Sequence, residues 1–171
     1  RLAADAHLAA ARASGPDRFR AAAHAGAAER AAREAIARRS ARAANHVRLA
    51  QAVAARGEDP SAAFAEAEHL APSDALVRAE HARAALARGD AITAREQAAR
   101  IVAMYPEAAL GYAIEASAAL VEGREREALA AIRRALGATW EEGAGAQRAA
   151  ARALEARLTA TRPPGPDSLG R

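Results

Sequence analysis

The histidines and the arginines are the residues of this chain best suited to chemistry. No HExxH motif is present, and no two histidines stand four residues apart around a carboxylate, as two zinc ligands on one helix would. They are therefore interpreted as surface or half-buried histidines, and no metal site or catalytic histidine is predicted. The five histidines are His7, His24, His46, His69 and His81.

Motifs for nucleotide binding and for nucleophilic catalysis are missing from the sequence. It contains no Cys, which excludes thiolate ligands and cysteine nucleophiles. It contains no Lys either, so a GxxxxGK[ST] phosphate loop cannot form, and GxGxxG is absent. Glu141 and Glu142 are adjacent at a predicted helix end, where solvation explains them better than acid–base catalysis. The sequence predicts a protein that is not an enzyme and that binds no cofactor.

Acidic residues balance the arginines along the chain. The 25 arginines occur with 21 Asp and Glu residues, for a net charge of +4. Pairs such as Glu29 and Arg33 have the i,i+4 spacing of ion pairs on a helix surface. The only doublets, Arg38-Arg39 and Arg133-Arg134, have acidic residues nearby. Because aromatic residues for base stacking are few and do not alternate with arginine, specific nucleic-acid binding is not expected.

The composition predicts helices. Alanine, the strongest helix former, makes up about a third of the chain. Only 3% of the residues are aromatic, which disfavours a β fold. The longest stretch without Asp, Glu or Arg is eight residues, 21–28, whereas a transmembrane helix needs about 20 apolar residues. We therefore expect an all-α fold with no membrane-inserted segment.

Glycine and proline recur with a long period. Gly57, Gly89 and Gly123 stand 32 and 34 residues apart, and Pro72 and Pro106 stand 34 apart. Each glycine follows an alanine-rich run and can adopt the left-handed conformation that closes a helix. Each proline stops a helix at the residue before it. The spacing predicts helix, glycine turn, helix and proline turn in repetition.

This pattern resembles the tetratricopeptide repeat, a helix–turn–helix unit of 34 residues. The best unit, 109–142, carries Tyr112, Ala116, Gly123, Leu129 and Ile132 in the family's packing positions. His81 and Glu115 occupy the position of a large apolar residue, and Trp140 stands where a third proline is expected. The resemblance implies antiparallel helical hairpins stacked as a short right-handed solenoid.

We therefore predict three repeats with helical flanks. A degenerate repeat over 1–42 contains two helices. The first spans 2–13, and the second is capped by Asp17 and runs toward Arg39, with a break considered at Gly26. The final helix caps the stack through an apolar stripe of Ala150, Leu154 and Leu158. A tail rich in Pro and Gly follows and is expected to be disordered. The repeats are 43–74, 75–108 and 109–142, followed by the cap at 143–160 and the tail at 161–171.

The resemblance also implies a partner-binding groove lined by the first helix of each unit. Carried over by position, each first helix presents two apolar residues, one polar residue and one apolar residue on one face. The polar residues are Gln51, Arg83 and Ser117, and the alternative is that the apolar residues are simply core between helices. The basic and amide clamp that some family members use for a C-terminal carboxylate is replaced by Val47, Ala79 and Ala113. The predicted partner-binding residues are Val47, Gln51, Leu76, Arg83, Leu86, Leu110, Ser117 and Leu120.

The functional expectation is a scaffold that binds a protein or peptide partner. The alternative is a soluble tail of a larger bacterial membrane protein, because the chain resembles the repeats of polysaccharide polymerases and O-antigen ligases. Arg1 in place of Met indicates a fragment or a processed product. A bacterial cytoplasmic or periplasmic location fits both, and neither the oligomeric state nor the partner is specified.

Overall fold

The computed structural model describes residues 18–39 and 42–160, and within these residues the chain is all-helical, as the composition predicts. The helix predicted over 2–13, the cap Asp17 and the tail 161–171 lie outside the described residues. Eight helices follow one another in the described part of the chain. They are α1 (Arg18–Arg38), α2 (Ala43–Ala55), α3 (Ser61–Leu70), α4 (Ala75–Ala87), α5 (Ala91–Met104), α6 (Ala109–Val121), α7 (Glu125–Gly137) and α8 (Gly145–Ala160).

Three glycines close helices α2, α4 and α6 in the same conformation. The backbone φ is +79° at Gly57, +77° at Gly89 and +71° at Gly123, which confirms the predicted left-handed positions. This is the Schellman motif, which satisfies carbonyls left unpaired at a helix C-terminus. In each case the next residue donates its amide to the carbonyl five positions earlier: Glu58 to Val53 (3.2 Å), Asp90 to Ala85 (2.9 Å) and Arg124 to Ala119 (2.8 Å).

The two prolines act alike on the helices before them. Ala71, which precedes Pro72, has φ −141° and ψ 69°, and Tyr105, which precedes Pro106, has φ −138° and ψ 71°. A proline disfavours the helical conformation at the preceding residue. Helices α3 and α5 therefore stop at equivalent points, 34 residues apart.

Helix α7 ends at Gly137, and tertiary contacts of Thr139 and Trp140 follow it where a proline turn is expected. The amide of Thr139 donates to the carbonyl of Glu107 (2.7 Å), and its own carbonyl accepts from the amide of Ala109 (2.9 Å). The indole Nε1 donates to the carbonyl of Ala135 at 2.9 Å. The same carbonyl, in the last turn of α7, also accepts from the amide of Ala138 at 3.2 Å.

Helix α1 runs through Gly26 without interruption, so the break considered there does not occur. A glycine inside a helix costs only about 1 kcal/mol relative to Ala. The neighbouring Ala25 and Ala28 are fully buried, and Ala28 forms a cluster with Ala52 of α2. Close packing of small side chains on both helices offsets the cost of the glycine.

The chain divides into two compact units between Ala84 and Ala85, a point inside α4. In the first unit α1 packs on α2 and α2 packs on α3. In the second unit the packed pairs are α5 with α6, α6 with α7, and α7 with α8. The strongest packing within each unit thus joins helices that are neighbours in the chain. The predicted limits of the repeats lie in turns or at helix starts, and they stay predictions.

Helix α8 packs through a stripe that is shifted from the predicted one. Ala150 is exposed, and Ala151 is buried in its place beside Ile132. Leu154 is half-buried, and Leu158 is buried. Positions 151, 154 and 158 follow i, i+3, i+7, which stays on one helix face more closely than i, i+4, i+8. The prediction was therefore wrong at Ala150.

Candidate functional site

The candidate site in the first unit centres on Glu80, whose carboxylate joins α2 to α4. Its Oε2 accepts a hydrogen bond from Gln51 Nε2 at 2.6 Å, and its Oε1 accepts from Arg83 Nη1 at 2.5 Å. Gln51 and Arg83 are two of the three predicted polar groove residues, and the structure brings them onto one acceptor. Glu80 itself was missed, although its i,i+3 spacing to Arg83 was a sequence signal for an ion pair.

A buried polar cluster on α3 and α4 fixes the position of the Glu80 helix. Glu68 lies 2.7 Å from Arg78 Nη1 through one carboxylate oxygen and 2.6 Å from His81 Nδ1 through the other. The His81 ring stacks on Phe64, with centroids 4.7 Å apart and planes 9° apart. Phe64 is fully buried, and the Glu68 and Arg78 side chains are each 12% exposed.

His81 thus fills a position where a large apolar residue is expected, and it does so as a core residue. Its imidazole supplies apolar area to Phe64, while Glu68 satisfies one ring nitrogen. Burial of a polar ring is tolerated when a hydrogen bond accompanies it. The cluster holds α4 against α3 and so orients Glu80 and Arg83 on the same helix.

The apolar residues predicted for the first-unit part of the groove differ in exposure. Leu76 is 55% exposed, whereas Val47 is half-buried. Ala79, on the same predicted face, is fully buried and belongs to the core. Leu76 and Arg83 are seven residues apart, two turns along one face of α4. An open apolar side chain and an ordered guanidinium therefore lie on the same surface of this helix.

In the second unit the predicted groove residues are more strongly engaged by the chain itself. The Ser117 hydroxyl donates to the Ala113 carbonyl at 2.9 Å, so its donor is used within α6. Leu120 packs against a cluster that contains Leu158 of α8. Leu86 and Leu110 are half-buried. Leu120 is therefore a core residue between helices, as the alternative interpretation has it, whereas Leu76 lies on the exposed surface.

A shallow cavity of about 390 Å³ lies in the second unit between the α5–α6 turn and the end of α7. Its arginines are already paired: Arg133 Nε with Glu155 at 3.0 Å, and Arg134 Nη2 with Glu115 at 2.8 Å. The Arg134 guanidinium also lies 5.1 Å from the centre of the Tyr112 ring, in a cation–π contact. Each of the two guanidinium charges in this cavity therefore has a carboxylate partner within the chain.

Neither a metal cluster nor a membrane-spanning helix is present in the described part of the chain. Within residues 18–39 and 42–160, no three His, Cys, Asp or Glu side chains gather as a metal ion would need. Over the same residues, no helix combines the length and apolarity needed to cross a bilayer. No family model matches the sequence, and no curated protein is significantly similar to it.

Proposed function

We propose that the chain is a non-catalytic scaffold that binds a peptide or a helix of a partner protein. The observation that carries the proposal is the surface of α4, where exposed Leu76 lies two turns from Arg83. Arg83 uses one guanidinium nitrogen on Glu80, and the side chain stays 55% exposed. Arginine is among the residues enriched at the energetic centres of protein interfaces, and the exposed leucine beside it adds apolar area that a partner can bury.

We further propose that the hairpins form a tetratricopeptide-like solenoid with this surface as part of its concave groove. The repeated geometry supports this arrangement, because three Schellman glycines and two proline turns recur at nearly the repeat length. The hydrogen bond from Gln51 to Glu80 lies within the first compact unit and joins α2 to α4, the first helices of two successive predicted repeats. Contacts between successive first helices would line such a groove.

The experiment compares the wild-type chain with Arg83→Glu and Leu76→Ser in affinity purification from the source cells. The partner identified by mass spectrometry is then titrated calorimetrically against each variant. We expect each change to weaken binding by about tenfold or more, because both are placed as central contacts. Unchanged affinity of both variants for that partner would remove the groove assignment.

Arg33→Glu provides the matched control. Arg33 is an exposed arginine bonded to Glu29 four residues earlier, at 2.8 Å, so its reversal also creates a like-charge pair on a helix surface. Equal losses for Arg33→Glu and Arg83→Glu would show a general charge effect. Unfolding midpoints measured on the same samples separate lost contacts from lost folding.

A further inference from the structure

A cleft rich in arginine lies in the first unit, between the end of α1 and the start of α2. It has a volume of about 440 Å³ and is lined by Arg38, Arg39, Arg42 and Arg48, with Asn45 and alanines forming the remainder. None of the described residues that line it is acidic. Positive charges gathered around one cavity attract anions, so the cleft favours an anionic ligand.

Two of the four arginines of this cleft, Arg39 and Arg42, are not neutralised by the described part of the chain. Glu34 pairs with Arg38 at 2.5 Å, but both side chains are more than 60% exposed. In the described residues the side chains of Arg39 and Arg42 have neither a hydrogen bond nor an ion pair. The sequence explains this, because residues 35–57 form its longest stretch without Asp or Glu. Helix α2, which faces the cleft, therefore offers no carboxylate.

The backbone around the cleft is held by a buried side chain. Asn45 is 8% exposed, and its Nδ2 lies within hydrogen-bonding distance of the carbonyls of Ala35 (3.3 Å) and Arg39 (3.2 Å). These bonds tie the first turn of α2 to the end of α1. The arginines of the cleft are therefore mounted on a fixed frame, which reduces the ordering needed on binding.

We propose that this cleft binds an acidic segment of a partner protein, with Arg39 and Arg42 contacting its Asp or Glu carboxylates. Guanidinium groups bind carboxylates through two parallel hydrogen bonds. Within the described residues, the side chains of Arg39 and Arg42 donate no hydrogen bond. Among the described residues that line the cleft there is no aromatic side chain to form the stacking platform typical of single-stranded nucleic-acid sites. The site uses none of Gln51, Glu80 and Arg83, so it stands or fails independently of the groove.

The test uses the full 171-residue chain and fluorescence anisotropy of a labelled peptide rich in Glu and Asp. The Arg39→Gln, Arg42→Gln double variant should bind it about tenfold more weakly, as the loss of two exposed charge pairs implies. Arg133→Gln, Arg134→Gln is the matched control, because it removes the same charge from the paired doublet. It should bind the peptide as the wild type does. A far-UV circular dichroism spectrum checks that both double variants are folded.

Three outcomes would overturn the proposal. The first is that the wild-type chain binds the acidic peptide no better than a neutral peptide in which Gln and Asn replace every Glu and Asp. The second is an equal loss in the two double variants, which would show general charge attraction. The third is tighter binding of a single-stranded oligonucleotide that is lost with Arg39 and Arg42, which would make the cleft a nucleic-acid site. The proposal is supported if the Arg39→Gln, Arg42→Gln variant alone binds the acidic peptide more weakly and the wild type prefers this peptide to the oligonucleotide.

Discussion

Replacing Glu68 by Gln should destabilise the first unit by about 2 kcal/mol. The carboxylate of Glu68 lies between Arg78 (2.7 Å) and His81 (2.6 Å), and each of these side chains is at most 12% exposed. Glutamine has nearly the same shape but no charge. The substitution therefore leaves the Arg78 guanidinium largely buried without its opposite charge, while the packing on Phe64 is preserved.

The magnitude follows from where this pair lies between two limits. Removing one partner of a fully buried ion pair costs about 3–5 kcal/mol, whereas an exposed pair contributes about 0–1 kcal/mol. Glu68 is close to the buried limit. The amide oxygen of Gln still accepts one hydrogen bond, which lowers the expected cost to about 2 kcal/mol.

The assay is urea unfolding followed by far-UV circular dichroism. With a slope of about 2 kcal/mol per molar urea, the expected shift of the midpoint is about 1 M. Glu34→Gln is the matched control, because Glu34 also pairs with an arginine but is 63% exposed. Its shift should be no more than about 0.5 M. If Glu68→Gln shifted the midpoint no further than Glu34→Gln, burial would not be what makes this cluster important.

Two further predictions concern the second unit. In Gly111→Ala the new Cβ would lie 2.6 Å from Val102 Cγ2, so we expect the free energy of unfolding in urea to fall by about 1–2 kcal/mol. In the control Gly137→Ala the new Cβ meets nothing within 4 Å, so this change should be neutral or stabilising. Equal effects of the two substitutions would contradict the steric argument. Asp90→Ala should cost about 1 kcal/mol by removing the cap on the Thr93 amide (3.0 Å), whereas Asp90→Asn should retain it. Hydrogen bonds from Thr93, its side chain first and then its amide, hold the pKa of Asp90 below its ordinary value. On acidification, Asp90 is protonated in the unfolded chain before it is protonated in the folded one. The stabilisation from Asp90 is therefore complete above about pH 4 and is lost on further acidification. An Asp90→Asn variant that lost stability in acid as the wild type does would contradict this prediction.

The parts of the fold that could be predicted are those fixed by local backbone chemistry. Gly57, Gly89 and Gly123 all adopt the left-handed conformation that their positions after alanine-rich runs suggested. A proline constrains the residue before it regardless of context, so the ends of α3 and α5 were equally readable. Gly26 was ambiguous because a glycine inside a helix costs little, and burial of its alanine neighbours decides the outcome.

The candidate site was only partly readable because side-chain pairing depends on which helices meet. Gln51 and Arg83 were identified by position, but their common partner Glu80 required knowing that α2 and α4 approach each other. Ser117 looked equivalent in sequence, yet its hydroxyl bonds to the carbonyl one turn earlier in its own helix. A short hydroxyl can satisfy itself locally, whereas a longer amide or guanidinium reaches a neighbouring helix.

The two arginine doublets show that ion pairing, too, depends on which helices pack together. In sequence, Arg38-Arg39 and Arg133-Arg134 are alike, each with acidic residues close by. Helix α7 packs between α6 and α8, which supply Glu115 and Glu155 from 19 and 22 residues away, so the second doublet is neutralised on both sides. The first doublet lies next to α2, a helix without a single acidic residue. Arg38 pairs with Glu34 of its own helix, and the Arg39 side chain has no ion pair within the described residues. For these two doublets, the acid content of the neighbouring helices decides whether both arginines have a carboxylate partner, which their similar surroundings in sequence do not show.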